Sequence, residues 1–218
     1  MSEIEHLFPG PAALAYGADA NAAFLFGALP GASHLHLGCH GSVDHGDPLN
    51  TTLHLADGGL RLADLQAGLS LPVRLVVAAA CDSALFDVFQ PDEVVGLPAG
   101  FIQAGAAAVV AALWPVDDRA TALLMTRFYE LLAERRLADP RRCLRDAQLW
   151  LRDLSRAAER RYLRQRPALR RALRRGAFSW YLAVLTARRG AVPAVRLPWR
   201  RQRYRHPRYW AGFVLYGA

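Results

Sequence analysis

The chain has 218 residues, 53% of them hydrophobic, and a formal net charge of +8, which suits one well-buried domain and is too short for two of ordinary size plus a linker. Its three cysteines have no paired spacing, which argues against a disulfide framework and for a reducing compartment, the cytoplasm. The charge is divided: residues 1–134 hold four arginines and 15 acidic residues, residues 135–218 hold 23 arginines and four acids, and lysine is absent, a pattern that marks a region with its own job or partner.

The start, Met1-Ser2-Glu3-Ile4-Glu5, is acidic and lacks the apolar core of a secretion signal. Residues 12–17 read as a first strand, and Asp19 as the cap of a helix over about 20–29 that Pro30-Gly31 ends. An apolar run from Ser33 to His40-Gly41 reads as a buried strand stopping at a polar turn. The stretch 41–50, rich in Gly, Asp, His and Pro, reads as a surface loop. Asp57-Gly58-Gly59 between apolar segments 51–55 and 60–62 signals a hairpin, followed by a short helix over 63–69. A second buried strand starts near Val73 and ends at Cys81-Asp82-Ser83. After it comes a loop over 83–91 whose Phe86 and Phe89 can wall a pocket.

Residues 94–116 carry no charge and are long enough to cross a bilayer. Gly96, Pro98, Gly100, Gln103, Gly105 and Pro115 fit a soluble reading better: a helix over 92–104, a glycine stop, and a buried strand over 107–113, with no membrane involved. Asp117 or Asp118 then opens an amphipathic helix to about 136, and a second helix is expected over 140–164. Residues 165–207 are Arg-rich, interrupted by prolines and an apolar patch at 178–187; residues 209–216 read as a closing strand.

In an open α/β sheet, ligands bind beyond the ends of the strands, so two apolar runs ending at His40 and Cys81 bring an imidazole and a thiol to one crevice. That pair suits a dyad in which the thiolate attacks a carbonyl and the imidazole handles the leaving-group proton. A cysteine alone is more often an inert core thiol, and this is the reading for Cys39, turned to the opposite face by strand alternation, and for Cys143 in a helix. His34, His36, Cys39, His40 and His45 offer zinc-binding chemistry, yet their spacing matches no strong zinc pattern.

Six segments, in order, resemble the CHAT-domain family of caspase-like cysteine peptidases, the clan of caspases and separase. They are His40-Gly41, Ala80-Cys81-Asp82-Ser83, the run from Ala99-Gly100-Phe101 to Gly105-Ala106, Leu113-Trp114-Pro115-Val116-Asp117-Asp118, Phe128-Tyr129, and Trp210-Ala211-Gly212 through Gly217. The resemblance implies an α/β fold: a three-layer αβα sandwich with a mostly parallel sheet, N-terminally shortened, as one domain over residues 1–218. An Arg-rich helical insertion would occupy about 155–207, before the last strand. It implies Cys81 as nucleophile and His40 as general acid/base, with the backbone N–H groups of Gly41 and Cys81 holding the oxyanion, and no metal or organic cofactor.

Separase-like relatives use an acidic residue near Asp117-Asp118 to hold a substrate arginine. Asp118 is favoured over Asp117 for that role, and both also read as helix-capping acids. Asp82 has a similar double reading and leans towards loop structure. The expected partners are a protein or peptide substrate cut after a basic residue, and a protein that completes or regulates the domain. The alternative is a non-catalytic interaction module whose Arg-rich region binds nucleic acid or an acidic partner, although no nucleic-acid-binding motif is visible. The acidic N-terminal half of the same chain can also neutralise the arginines, and this is the cheapest of the three ways.

Overall fold

The computed structural model of the chain describes residues 13–44, 46–79, 96–135, 138–175 and 203–217. They fall into two compact units, one formed by Ala13–Val116 with Gly212–Ala218 and the other within Asp117–Ala211.

The first unit is α/β. Residues 13–16 form no strand, contrary to the sequence reading, because Gly17 at φ 56° turns the chain into a 3-10 helix, Gly17–Asp19. Helix α1 (Ala22–Ala28) is capped by Asn21, not Asp19: the Asn21 side chain accepts from the Phe24 N–H at 2.9 Å. A second orphan donor at this end, the Ala22 N–H, is taken by the Asp57 carboxylate at 3.0 Å.

Strand β1 (His34–Leu37) is followed by β2 (His40–Ser42), β3 (Thr52–Leu55), β4 (Gly58–Arg61), helix α2 (Leu62–Gln66), β5 (Leu75–Ala78), helix α3 (Leu97–Gln103) and β6 (Ala108–Ala112); β7 (Phe213–Gly217) returns at the end of the chain. Four of these form one sheet in the order β1-β5-β6-β7. The first two pairings are parallel and β6–β7 is antiparallel, so the sheet is mostly parallel, consistent with a caspase-like sandwich. Every residue of β5 and β6 is buried, as uninterrupted Val/Ala runs in the middle of a parallel sheet require. The other three strands form an antiparallel sheet, β2-β3-β4, around the expected turn.

Helices α2 and α3 pack closely because position 100 is glycine; a β-carbon there would run into the Leu62 side chain. Gly105, at φ 110°, is the expected stop after α3. The 94–116 segment is therefore helix and buried strand where described, and among the described residues no helix is long and apolar enough to cross a membrane. Leu53, Leu62, Leu65, Val76, Leu97, Phe101 and Val109 make up much of the core of this unit.

The second unit is helical. Helix α4 (Asp118–Glu134) is capped by Asp117 and packs on α5 (Pro140–Asp153), which Asp139 caps. The single helix expected over 140–164 is two: Leu154 is extended, and Ser155 caps a new helix, α6 (Arg156–Arg164), by accepting from the Ala158 N–H at 3.2 Å. Helix α7 (Pro167–Arg175) lies in the Arg-rich stretch and packs on α6. The closing strand begins four residues later than expected, because Pro207–Tyr209 forms a 3-10 turn.

Two buried carboxylates tie this unit together. Glu130 accepts from Arg127, Tyr162 and Arg166. Glu159 accepts from Arg119 at 2.8 Å and from the hydroxyl of the fully buried Tyr204 at 3.0 Å. Both carboxylates are nine-tenths buried and fully partnered, as buried charge requires.

Candidate active site

His40 and Gly41 sit on β2, not at the end of β1. The run read as one strand over 33–41 breaks at Gly38-Cys39, where the chain leaves the parallel sheet and pairs antiparallel with β3. The register pairs His40 with His54, Gly41 with Leu53, and Ser42 with Thr52. Side chains alternate along a strand, so His40, Ser42, Thr52 and His54 share one face. The opposite face carries Leu53 and Leu60, both buried in the core, and this fixes which way the histidine face turns.

On that face the His54 Nε2 and the Ser42 hydroxyl are hydrogen-bonded at 2.9 Å. His40 is half-buried, and burial together with the neighbouring His54 charge holds its imidazole below the ordinary histidine range. It is therefore neutral at pH 7 and can accept a proton. The sequence reading missed His54 and Ser42. The hairpin signal at Asp57-Gly58-Gly59 was legible, but the identity of the strand facing His54 depends on where the chain turns after Leu37.

Among the described residues, His34, His36, Cys39 and Cys143 are poor nucleophiles or ligands. His34 shares a 2.8 Å hydrogen bond with the Ser33 hydroxyl, and burial pushes the His36 imidazole down to about 4. Cys39 packs against the core, and burial pushes its thiol up to about 12. Cys143 is fully buried; its thiol, also raised by burial, lies 3.6 Å from Arg135 Nη1. Among the described residues, no three His, Cys, Asp or Glu side chains converge as a metal site would need; His45 lies outside those residues.

A family model for the CHAT domain matches residues 1–218, the whole chain. The chain belongs to the CHAT-domain family. That family is related to the caspase-like cysteine peptidases, which gives this CHAT domain a peptidase-related function. No curated protein matches it.

Within the CHAT domain, the candidates that sequence reading singled out are distributed as follows. His40 and Gly41 are adjacent on β2 in the α/β unit. Asp117 and Asp118 stand at the start of α4 in the helical unit. Asp117 is committed to capping, its carboxylate accepting from the Ala120 N–H at 2.8 Å. The half-buried Asp118 carboxyl is pushed up to about 6 by burial and by the Asp117 charge beside it. A helix N-terminus favours a carboxylate's ionised form, so the desolvation here outweighs an opposing field. Cys81 and Asp82, with Phe86 and Phe89, lie outside the described residues.

Proposed function

We propose that this CHAT domain is a cysteine endopeptidase with a Cys81/His40 dyad that cuts after basic residues. The observation carrying the reading is a register: Leu37 and Ala78 are paired on neighbouring parallel strands, and the chain runs three residues on from each to His40 and to Cys81. The pairing continues one step further, with the Ala79 N–H donating to the Leu37 carbonyl at 2.9 Å. Two reactive residues equally far beyond paired strand ends suit a crevice at that edge of the sheet.

In this mechanism neutral His40 takes the Cys81 thiol proton as sulfur bonds to the scissile carbonyl carbon. The carbonyl oxygen, now an oxyanion, is held by the N–H groups of Gly41 and Cys81. The C–N bond then breaks, and His40 delivers its proton to the departing amine. Water, deprotonated by His40, attacks the thioester, releasing the carboxylic acid and returning the proton to sulfur. Burial and the neighbouring His54 both disfavour a protonated His40, and so favour proton release at each return to the neutral imidazole. Asp118 is the favoured partner for a substrate guanidinium, because Asp117 is taken by its cap and a desolvated carboxylate gains most from a bidentate cation. Asp82 remains a candidate for the same role by its place in the sequence.

Native alkylation tests the dyad. Cys39 and Cys143 are held as thiols by burial, so iodoacetamide at pH 7 should add one adduct per chain, at Cys81, as read by intact mass and peptide mapping. Cys81→Ala should abolish the adduct and His40→Ala should slow its formation at least tenfold. Persistent labelling of Cys81→Ala, or a rate indifferent to His40, would remove the dyad.

A further inference from the structure

Helices α6 and α7 carry Arg160, Arg161, Arg164, Arg170, Arg171 and Arg174, all exposed. At 3.6 residues per turn, the three on each helix fall within about 100° of arc, on the side away from the buried Glu159 or Leu169. None of the six forms an ion pair with a described residue. Of the described acids of the helical unit, Glu130 pairs with Arg127 and Arg166, Glu134 with Arg127, Asp146 with Arg135, Asp153 with Arg152 and Glu159 with Arg119, Asp117 and Asp139 cap helices, and Asp118 forms no ion pair with any of the six. Among the described residues, then, no carboxylate forms an ion pair with this face.

We infer that the exposed arginine face of α6 and α7 binds the phosphate backbone of nucleic acid without regard to sequence. Guanidinium groups are suited to phosphate because they donate two parallel hydrogen bonds, and every cation here is arginine. Successive arginines one helical turn apart, such as Arg160 and Arg164, rise about 6 Å along the axis, close to the step between phosphates on a nucleic-acid strand. An acidic protein is the poorer fit, because protein interfaces are anchored on buried apolar or aromatic side chains. The large hydrophobic side chains exposed among the described residues are Leu14, Tyr16, Phe26 and Leu49, none of them on these helices. The same absence disfavours a bilayer, since an amphipathic helix needs a free apolar face to enter one.

The test uses the full chain, with Cys81→Ala as background so that proteolysis is irrelevant, and fluorescence anisotropy of labelled 20-base-pair DNA and 20-nucleotide RNA of unrelated sequences. Binding should be sequence-independent and weaken about 10³-fold between 50 and 200 mM salt, as six phosphate contacts require. Replacing all six arginines by glutamine should flatten the log–log salt slope by about 5. Arg74→Gln, an exposed arginine in the other unit, should leave it unchanged, and circular dichroism should show that both variants fold. No binding at 50 mM salt, binding that survives the six substitutions, or tighter binding of poly-glutamate or phosphatidylserine vesicles than of either nucleic acid would overturn the inference. None of these results depends on the peptidase reading.

Discussion

Asp118 shows how a single half-buried group can make stability depend on pH. Its folded-state carboxyl titrates near 6, above the ordinary value of 3.8, so the folded chain holds a proton that the unfolded chain has lost between those values. The sign follows: this group's contribution to stability is intact below about pH 4 and falls as pH rises through 6. Asp118→Asn should therefore stabilise the protein at pH 7 by on the order of 1 kcal/mol, discounted for the carboxylate's partial exposure, as measured by urea denaturation. The same substitution should remove a preference for arginine. In the parent protein about one-tenth of Asp118 is ionised at pH 5 and about nine-tenths at pH 7, so KM for a peptide cut after arginine should drop about tenfold over that interval. In Asp118→Asn the KM profile should be flat, and a parallel fall in both proteins would place the guanidinium partner elsewhere.

At the level of elements, the β2–β3 hairpin decides the environment of His40. Its register sets His54 directly across the ladder, and the hydrogen bond to Ser42 holds the His54 ring on the same face. His54→Gln keeps a polar group for Ser42 while deleting the imidazole. The His40 pKa should then rise towards the ordinary histidine value, as followed by NMR titration of the ring protons. Thr52→Val on the same strand should leave it in place. A His40 titration unmoved by His54→Gln would mean that burial alone depresses it.

The strands that position this hairpin were legible because uninterrupted apolar runs such as Leu75–Ala78 and Ala108–Ala112 admit few other readings. The break at Gly38-Cys39 was not, because pairing with β3 is a long-range event that leaves no local mark beyond a glycine. Nor was the division of the 140–164 helix. Its arginines and leucines keep helical spacing through Leu154, and only Ser155 with Glu159 four residues on hints at a fresh start.

Across the whole chain, chemistry is separated by unit: the histidine face belongs to the α/β unit, whereas the arginines and buried carboxylates belong to the helical one. Composition announced this division through its charge asymmetry, but it did not say which acids would be spent holding the helical unit together. Glu159 is the most demanding of them, because it joins α6 to Arg119 near the start of α4 and to Tyr204 far along the chain. Truncating it leaves a guanidinium and a buried phenol without their acceptor, and a charge deprived of its partner costs more than the intact pair contributes. Glu159→Ala should therefore cost about 3 kcal/mol, the lower end for buried pairs because Arg119 retains some contact with water. Glu159→Gln, which keeps an acceptor but loses the charge, should cost less than half as much. Urea unfolding followed by far-ultraviolet circular dichroism measures both, since most of the described helix lies in this unit. If Gln and Ala prove equally costly, the charge of Glu159 rather than its hydrogen bonds is what the helices rely on; if neither costs more than about 0.5 kcal/mol, the ion pair is a passenger in a unit held by its leucines.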